Sequence, residues 1–218
     1  MTYNIISTGS KGNAVVINDR ILIDCGVPFK VLEPVKNDLR LVLLTHIHGD
    51  HFNPRTVRAL HKERHALRWG CCEWMVGPLL EAGVDKRRID VYEQGIIFSY
   101  NFCYDGFDVS PILLTHNVPN CGYRIYDRRE WLFYATDTGT LDGIEARGYD
   151  LYMIEANHTR AGIEARIEEK RAAGEFSYEW AAAQNHLSRE QAEDWLYQQM
   201  GPNSRYVFLH QHQGEAFK

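Results

Sequence analysis

Within seven residues the chain carries Thr45-His46-Ile47-His48-Gly49-Asp50-His51, three imidazoles and a carboxylate in one short run. An apolar stretch, 39–44, broken only by Arg40, precedes it and reads as a buried strand. A strand that stops at a His-x-His pair projects both rings to one side. The Gly49-Asp50-His51 turn then adds an oxygen ligand and a third nitrogen. Mixed imidazole and carboxylate donors suit zinc or manganese, and this many in one loop suit two ions rather than one.

The same order, apolar strand and then a metal-competent residue, recurs three times. Ile112 to Thr115 delivers His116, Trp131 to Thr136 delivers Asp137, and Tyr206 to Leu209 delivers His210. Ligands at strand C-termini converge on one edge of a sheet, where open-sheet folds place their sites. One ion would be held by His46, His48 and His116 and the other by Asp50, His51 and His210, with Asp137 bridging them. His61 and His65 read as surface histidines of a helix, and His212 receives no role.

The elements that must position these groups alternate along the chain. Strands are expected at 3–8, 14–18, 20–24, 66–69, 89–92, 96–100, 107–115, 122–126, 131–136, 150–156 and 205–209. Helices are expected after Pro28, at 54–64, 73–82 and 141–147. The span 160–184, rich in Glu, Arg, Lys and Ala, reads as a charged helical insert. Ser188 with Gln191 forms a capping box for an amphipathic helix bearing Ala192, Trp195, Leu196 and Met200. The glycine loop 9–13 is either a plain hairpin turn or a backbone amide cradle near the site.

The 218 residues have room for one domain, 1–218, with a substantial core. No apolar run is long enough to span a bilayer, and Met1-Thr2-Tyr3 leads straight into strand-like sequence, so neither a leader nor a lipid anchor is expected. Five cysteines without a Cys-x-x-Cys pair speak against both a disulfide framework and a zinc knuckle, and so for a reducing cytoplasm. A net charge of -5 offers no global attraction for a polyanion.

Leu22-Ile23-Asp24-Cys25-Gly26, the His46-x-His48-x-Asp50-His51 motif, His116, Asp137 and His210 together resemble the metallo-β-lactamase superfamily through nearly the whole chain. The resemblance implies an α/β, four-layer αβ/βα sandwich with two sheets face to face and the metals at their shared edge. Within that superfamily, Ile154-Glu155-Ala156-Asn157-His158 followed by Asn185-His186-Leu187-Ser188 is similar to the order in tRNase Z and the YycJ-like exonucleases, as is the opening Ser7 to Ala14. That likeness implies a phosphodiesterase in which Glu155 orients and charges His186 beside the scissile phosphate. Asp50 would accept the proton of the attacking water, and His186 would donate one to the departing alkoxide. The cofactors implied are two divalent ions, zinc foremost and manganese second.

The substrate implied is a nucleic acid end or a small nucleotide, the latter as in the phage enzymes that open cyclic nucleotides. The likeness to tRNase Z further implies a homodimer. The chain departs from those relatives in Asn53-Pro54, where many members carry a Gly, and in having neither a glycine-rich arm for tRNA nor a β-CASP insert. Thioester or lactam hydrolysis, which needs no Glu155 and His186 pair, and a metal-stabilised binding module are the rival classes. His158 is either a support for Glu155 or a surface residue.

Overall fold

The computed structural model describes residues 1–102, 105–177 and 179–211. Its first half builds one six-stranded sheet from β1 (Tyr3–Ser7), β2 (Ala14–Ile17), β3 (Ile21–Ile23), β4 (Leu41–Leu44), β5 (Arg68–Cys72) and β6 (Ile89–Tyr92), in that spatial order. The first three strands run antiparallel, and β3 to β6 run parallel. Parallel strands need crossovers. These are α1 (Phe29–Leu32), α2 (Pro54–Glu63) and α3 (Val76–Glu81).

The second half repeats the plan. Strands β7 (Phe98–Phe102), β8 (Asp105–Leu114), β9 (Asn120–Tyr126), β10 (Trp131–Ala135), β11 (Leu151–Glu155) and β12 (Arg205–Leu209) form a second sheet in the order β12-β11-β10-β9-β8-β7. Here β10, β11 and β12 are parallel and the others antiparallel. Helices α4 (Arg160–Ala173), α5 (Glu179–Asn185) and α6 (Arg189–Gln199) lie between β11 and β12.

Alternation along the strands sorts the apolar residues into three layers of core. Val15, Ile21, Leu41 and Leu43 pack between the sheets against Val109, Ile125, Leu132 and Met153. The other face of the first sheet, with Val16, Leu22 and Leu44, is covered by Leu32, Val57, Leu60 and Leu79 of the helices. The outer face of the second sheet, with Phe133, Tyr152 and Ile154, is covered by Ala192, Trp195 and Leu196 of α6. Helix, sheet, sheet, helix is the order expected.

Several local expectations shift. The strand placed at 66–69 runs instead from Arg68 to Cys72, and the helix placed at 73–82 opens with one tight turn, Glu73–Met75, before α3. No helix forms at 141–147. Gly143 and Gly148 adopt positive φ there, and Tyr152 Oη and Arg124 take the carbonyls of Ala146 and Glu145 from the side. The insert at 160–184 is two helices, because Gly174 closes α4 in a left-handed turn at φ 69°. The capping box of Ser188 and Gln191 is formed at the start of α6. His65 is exposed, whereas His61 is half-buried and accepts the Asp85 N–H.

Candidate metal centre and active site

All the residues singled out for ligation come together where the two sheets meet. His46 and His51 are buried, and His48 and Asp50 half-buried, in the loop that leaves β4. Half-buried His116 follows β8, buried Asp137 follows β10, and buried His210 follows β12. Asp137 and His210 stand at φ 58° and 51°, so two of the strands end on a left-handed residue that turns its side chain into the site.

His46 Nε2 and His116 Nε2 both face His48 Nδ1, at 3.1 and 3.3 Å. A proton can satisfy only one such contact at a time, whereas a cation accepts all three lone pairs. Burial, reinforced by the charge of His51, pushes the His46 pKa down to about 2, leaving the neutral ring that ligation requires. His116 has its other nitrogen committed, Nδ1 donating to the Asn185 carbonyl at 3.1 Å, which leaves Nε2 as the free donor atom.

A second group forms around Asp50, His51 and His210, with His51 Nε2 and His210 Nε2 each 3.6 Å from Asp50 Oδ2. Asp137 lies between the two groups. Its Oδ2, 2.9 Å from His51 Nε2, makes no hydrogen bond of good geometry among the described residues. Burial opposes the Asp137 charge, yet the imidazoles of His51 and His210 hold its carboxyl well below the usual carboxylate range. Clustered lone pairs and a buried carboxylate oxygen lacking a donor fit two bound divalent cations.

The third cluster is Glu155 with His186. Glu155 ends β11 fully buried, its Oε1 accepting the N–H groups of Thr138 (2.6 Å) and Leu187 (3.2 Å). Its Oε2 stands 2.9 Å from His186 Nδ1 and 3.5 Å from His210 Nδ1. Burial opposes a charge on His186, but the Glu155 carboxylate raises its pKa above the ordinary imidazole value. His186 directly follows α5 and lies two residues ahead of Ser188, the cap of α6.

Four supporting residues were not read as such from the sequence. Buried Asp24, itself left-handed at φ 60°, accepts the Thr45 N–H at 2.9 Å and faces His51 Nδ1 at 2.7 Å. Thr45 Oγ1 also reaches both Asp24 oxygens. Asn13, in the glycine loop, points its Nδ2 at His51 Nε2 (2.8 Å) and at the Asp50 carbonyl (3.1 Å). Asn120 donates to the carbonyls of Thr136 and Asp137. The glycine of the Asp24-Cys25-Gly26 run has its own reason: a Cβ there would lie 1.8 Å from the Asp50 carbonyl oxygen. His158 is buried at 3% exposure, not a surface residue. His212 lies outside the described residues.

A cavity of about 390 Å³ opens over the cluster, and Asp50, His116, Asp137, His186 and His210 are in its wall. A larger one, about 580 Å³, lies at the opposite edge by the β2–β3 and β9–β10 turns. It is lined by Asp19, Arg20, Asp127 and Arg128 and by no imidazole among the described residues, so the smaller cavity is the candidate site.

The profile of the beta-lactamase superfamily domain matches residues 19–210. The exodeoxyribonuclease WalJ of Streptococcus pneumoniae serotype 2 (strain D39) is 24% identical, the match covering 95% of this chain and 80% of that protein. Among solved structures, the metallo-beta-lactamase fold protein YhfI from Bacillus subtilis superposes with a TM-score of 0.69 at 15% identity, covering 97% of this chain and 86% of that one. The short form of human tRNase Z gives 0.64 at 16% identity, over 98% and 93%. A diphosphatase of the PhnP family gives 0.61 at 13%, over 96% and 86%. At such identities the structural likenesses show the fold alone.

Proposed function

The chain belongs to the beta-lactamase superfamily, and from that membership we propose that it is a metal-dependent hydrolase of phosphodiesters in nucleic acid or nucleotides. The observation that carries this reading is the Glu155 and His186 pair, 2.9 Å apart and within 3.5 Å of Asp137 and His210. A thiolate departs readily without a proton, so thioester hydrolysis has no use for a charged imidazole at that place. An alkoxide leaving a phosphodiester does, because it departs poorly without a proton.

In this reading His46, His48 and His116 hold one cation, Asp50, His51 and His210 the other, and Asp137 lies between them. Two divalent cations, zinc foremost and manganese second, supply positive charge for the phosphate oxygens and lower the pKa of water when bound. Asp50, half-buried at the cavity wall, accepts the proton of the attacking water. His186, held by Glu155 through Nδ1, keeps its second nitrogen for the departing oxygen.

The name of the streptococcal relative, an exodeoxyribonuclease, supports a nucleic acid end as the substrate. A second reading, hydrolysis of a cyclic or short nucleotide, is supported by a cavity that no Lys or Arg lines among the described residues. Exposed Phe176 and Trp180, at 77% and 61%, support association into a homodimer. Cys25, Cys71, Cys72 and Cys121 are buried free thiols, which supports a reducing cytoplasm.

One panel tests the function. Bis-p-nitrophenyl phosphate, cyclic mononucleotides, end-labelled single- and double-stranded DNA, and nitrocefin are each assayed with zinc and with manganese. Turnover of any diester and none of nitrocefin is expected. Turnover of nitrocefin alone would replace the proposal by the lactam reading.

A further inference from the structure

One wall of the active-site cavity is α5, which presents Ala181 and Ala182 to it. Ser10, Asn117, Asn157 and Gln211 form other parts of the wall, all of them uncharged. The last turn of the helix is tied to its neighbours. The Gln184 carbonyl lies where a Cβ on Gly139 would come within 2.2 Å, so the two backbones are in direct contact. The Asn185 carbonyl is bonded by His116, and the Ala182 carbonyl by the His186 N–H at 3.0 Å. Ala182 therefore stands one helical turn before His186 and on the same side.

Two methyl side chains on this wall leave space open next to the proposed proton donor. The neighbouring amides and hydroxyl offer donors and acceptors to an uncharged heterocycle rather than partners for a second phosphate. The volume, about 390 Å³, lies at the low end of the roughly 300–1,000 Å³ of small-molecule sites.

We infer that Ala182 is a specificity-determining residue that keeps open the place of the single nucleoside attached to the scissile phosphate. The inference deepens the phosphodiesterase reading and rests on it.

The test compares p-nitrophenyl esters of methyl phosphate and of thymidine 5′-phosphate, which share a leaving group and differ in the group that would fill the cavity. The unmodified protein should favour the thymidine ester at least tenfold in kcat/KM. In Ala182→Phe that preference should fall at least tenfold, mainly through KM, while Ala182→Ser keeps it. Calorimetric binding of thymidine 5′-phosphate should weaken at least tenfold in the Phe variant. Ala182→Leu, a smaller intrusion by a good helix former, repeats the test where the Phe variant does not fold. Unchanged preference and unchanged nucleotide binding in a folded Phe or Leu variant overturn the inference. Failure of the unmodified protein to hydrolyse either ester sinks the phosphodiesterase reading instead, and nucleotide binding then decides alone: binding lost in the variant upholds the role of Ala182, and no binding by the unmodified protein overturns it.

Discussion

His186 Nδ1 and Glu155 Oε2 are 2.9 Å apart, joined across the step between α5 and the buried end of β11. Two backbone N–H groups already fill the other oxygen of Glu155, so its charge is fixed in place and bears on the imidazole. His186→Ala should keep its metals and lose about 10²- to 10⁴-fold in kcat on diesters with alkoxide leaving groups. With a p-nitrophenolate leaving group the loss should be far smaller, since that group departs without a proton. Glu155→Gln lowers the His186 pKa, and a proton donor is active below its pKa. The alkaline limb of its pH–rate profile should therefore move to lower pH. Equal losses on both leaving groups, or loss of metal, would assign His186 to structure or ligation.

Asp137 lies between two ligand groups and has a buried carboxylate oxygen to spare. After gentle purification the protein should carry about two transition-metal ions per chain, and Asp137→Ala clearly fewer. Emission spectrometry of the two proteins measures this. A chain that takes up neither zinc nor manganese would end the dinuclear assignment.

The two groups should differ in their response to pH. Burial opposes a charge on His210, yet the carboxylates of Asp137, Asp50 and Glu155 raise its pKa to about 10. At neutral pH a cation entering beside His210 must displace a proton. His51, in the same group, is likewise held well above the ordinary imidazole value by Asp137 and Asp24 against its burial, so apparent affinity there should rise about a hundredfold per pH unit between about pH 6 and 8, with two protons released. His46, with its pKa near 2, has no proton to give up in that range. Zinc titration against a chelator, with calorimetry in two buffers, should resolve one steep and one shallow step. Two equally steep steps would contradict this.

Gly139 is a lever on the centre from outside it. Gly139→Ala would place a methyl 2.2 Å from the Gln184 carbonyl oxygen and push α5 outward, away from His116. Overpacking of this kind costs about 1–3 kcal/mol. Loss of the partner of a metal-binding imidazole weakens metal affinity about 10- to 100-fold. Thermal denaturation and zinc titration should report both effects together. A stability loss with unchanged zinc affinity would show that α5 does not orient His116.

The ligand candidates were legible because each follows a run of apolar strand residues, and the run and its polar end lie within a few positions: Leu41 to His46, Ile112 to His116, Trp131 to Asp137, Tyr206 to His210. Their supports were not. Asp24 and Asn13 meet His51 from 27 and 38 residues away, and only packing of β3 and the glycine loop against the motif turn brings them there. Asp24 stood inside a motif without its partner being readable from spacing. The missing helix at 141–147 shows the opposite failure, since Leu141 and Ile144 have helical spacing. Two positive-φ glycines and side-on capture of the carbonyls make the segment an irregular cover for the second sheet. At Gly174 a left-handed cap was enough to divide a continuous-looking charged helix.

The left-handed turns at Asp137 and His210 act as a filter on which side chains can stand at those two positions. Asp, Asn, His and Gly enter that conformation readily, whereas most other side chains pay on the order of 1–2 kcal/mol for it. Of those four, three bring hard oxygen or borderline nitrogen donors, and none brings sulfur. A cysteine at either position would carry the conformational penalty before gaining any bond to a soft ion. The backbone at the ends of β10 and β12 thus disfavours a thiolate at either position through shape alone.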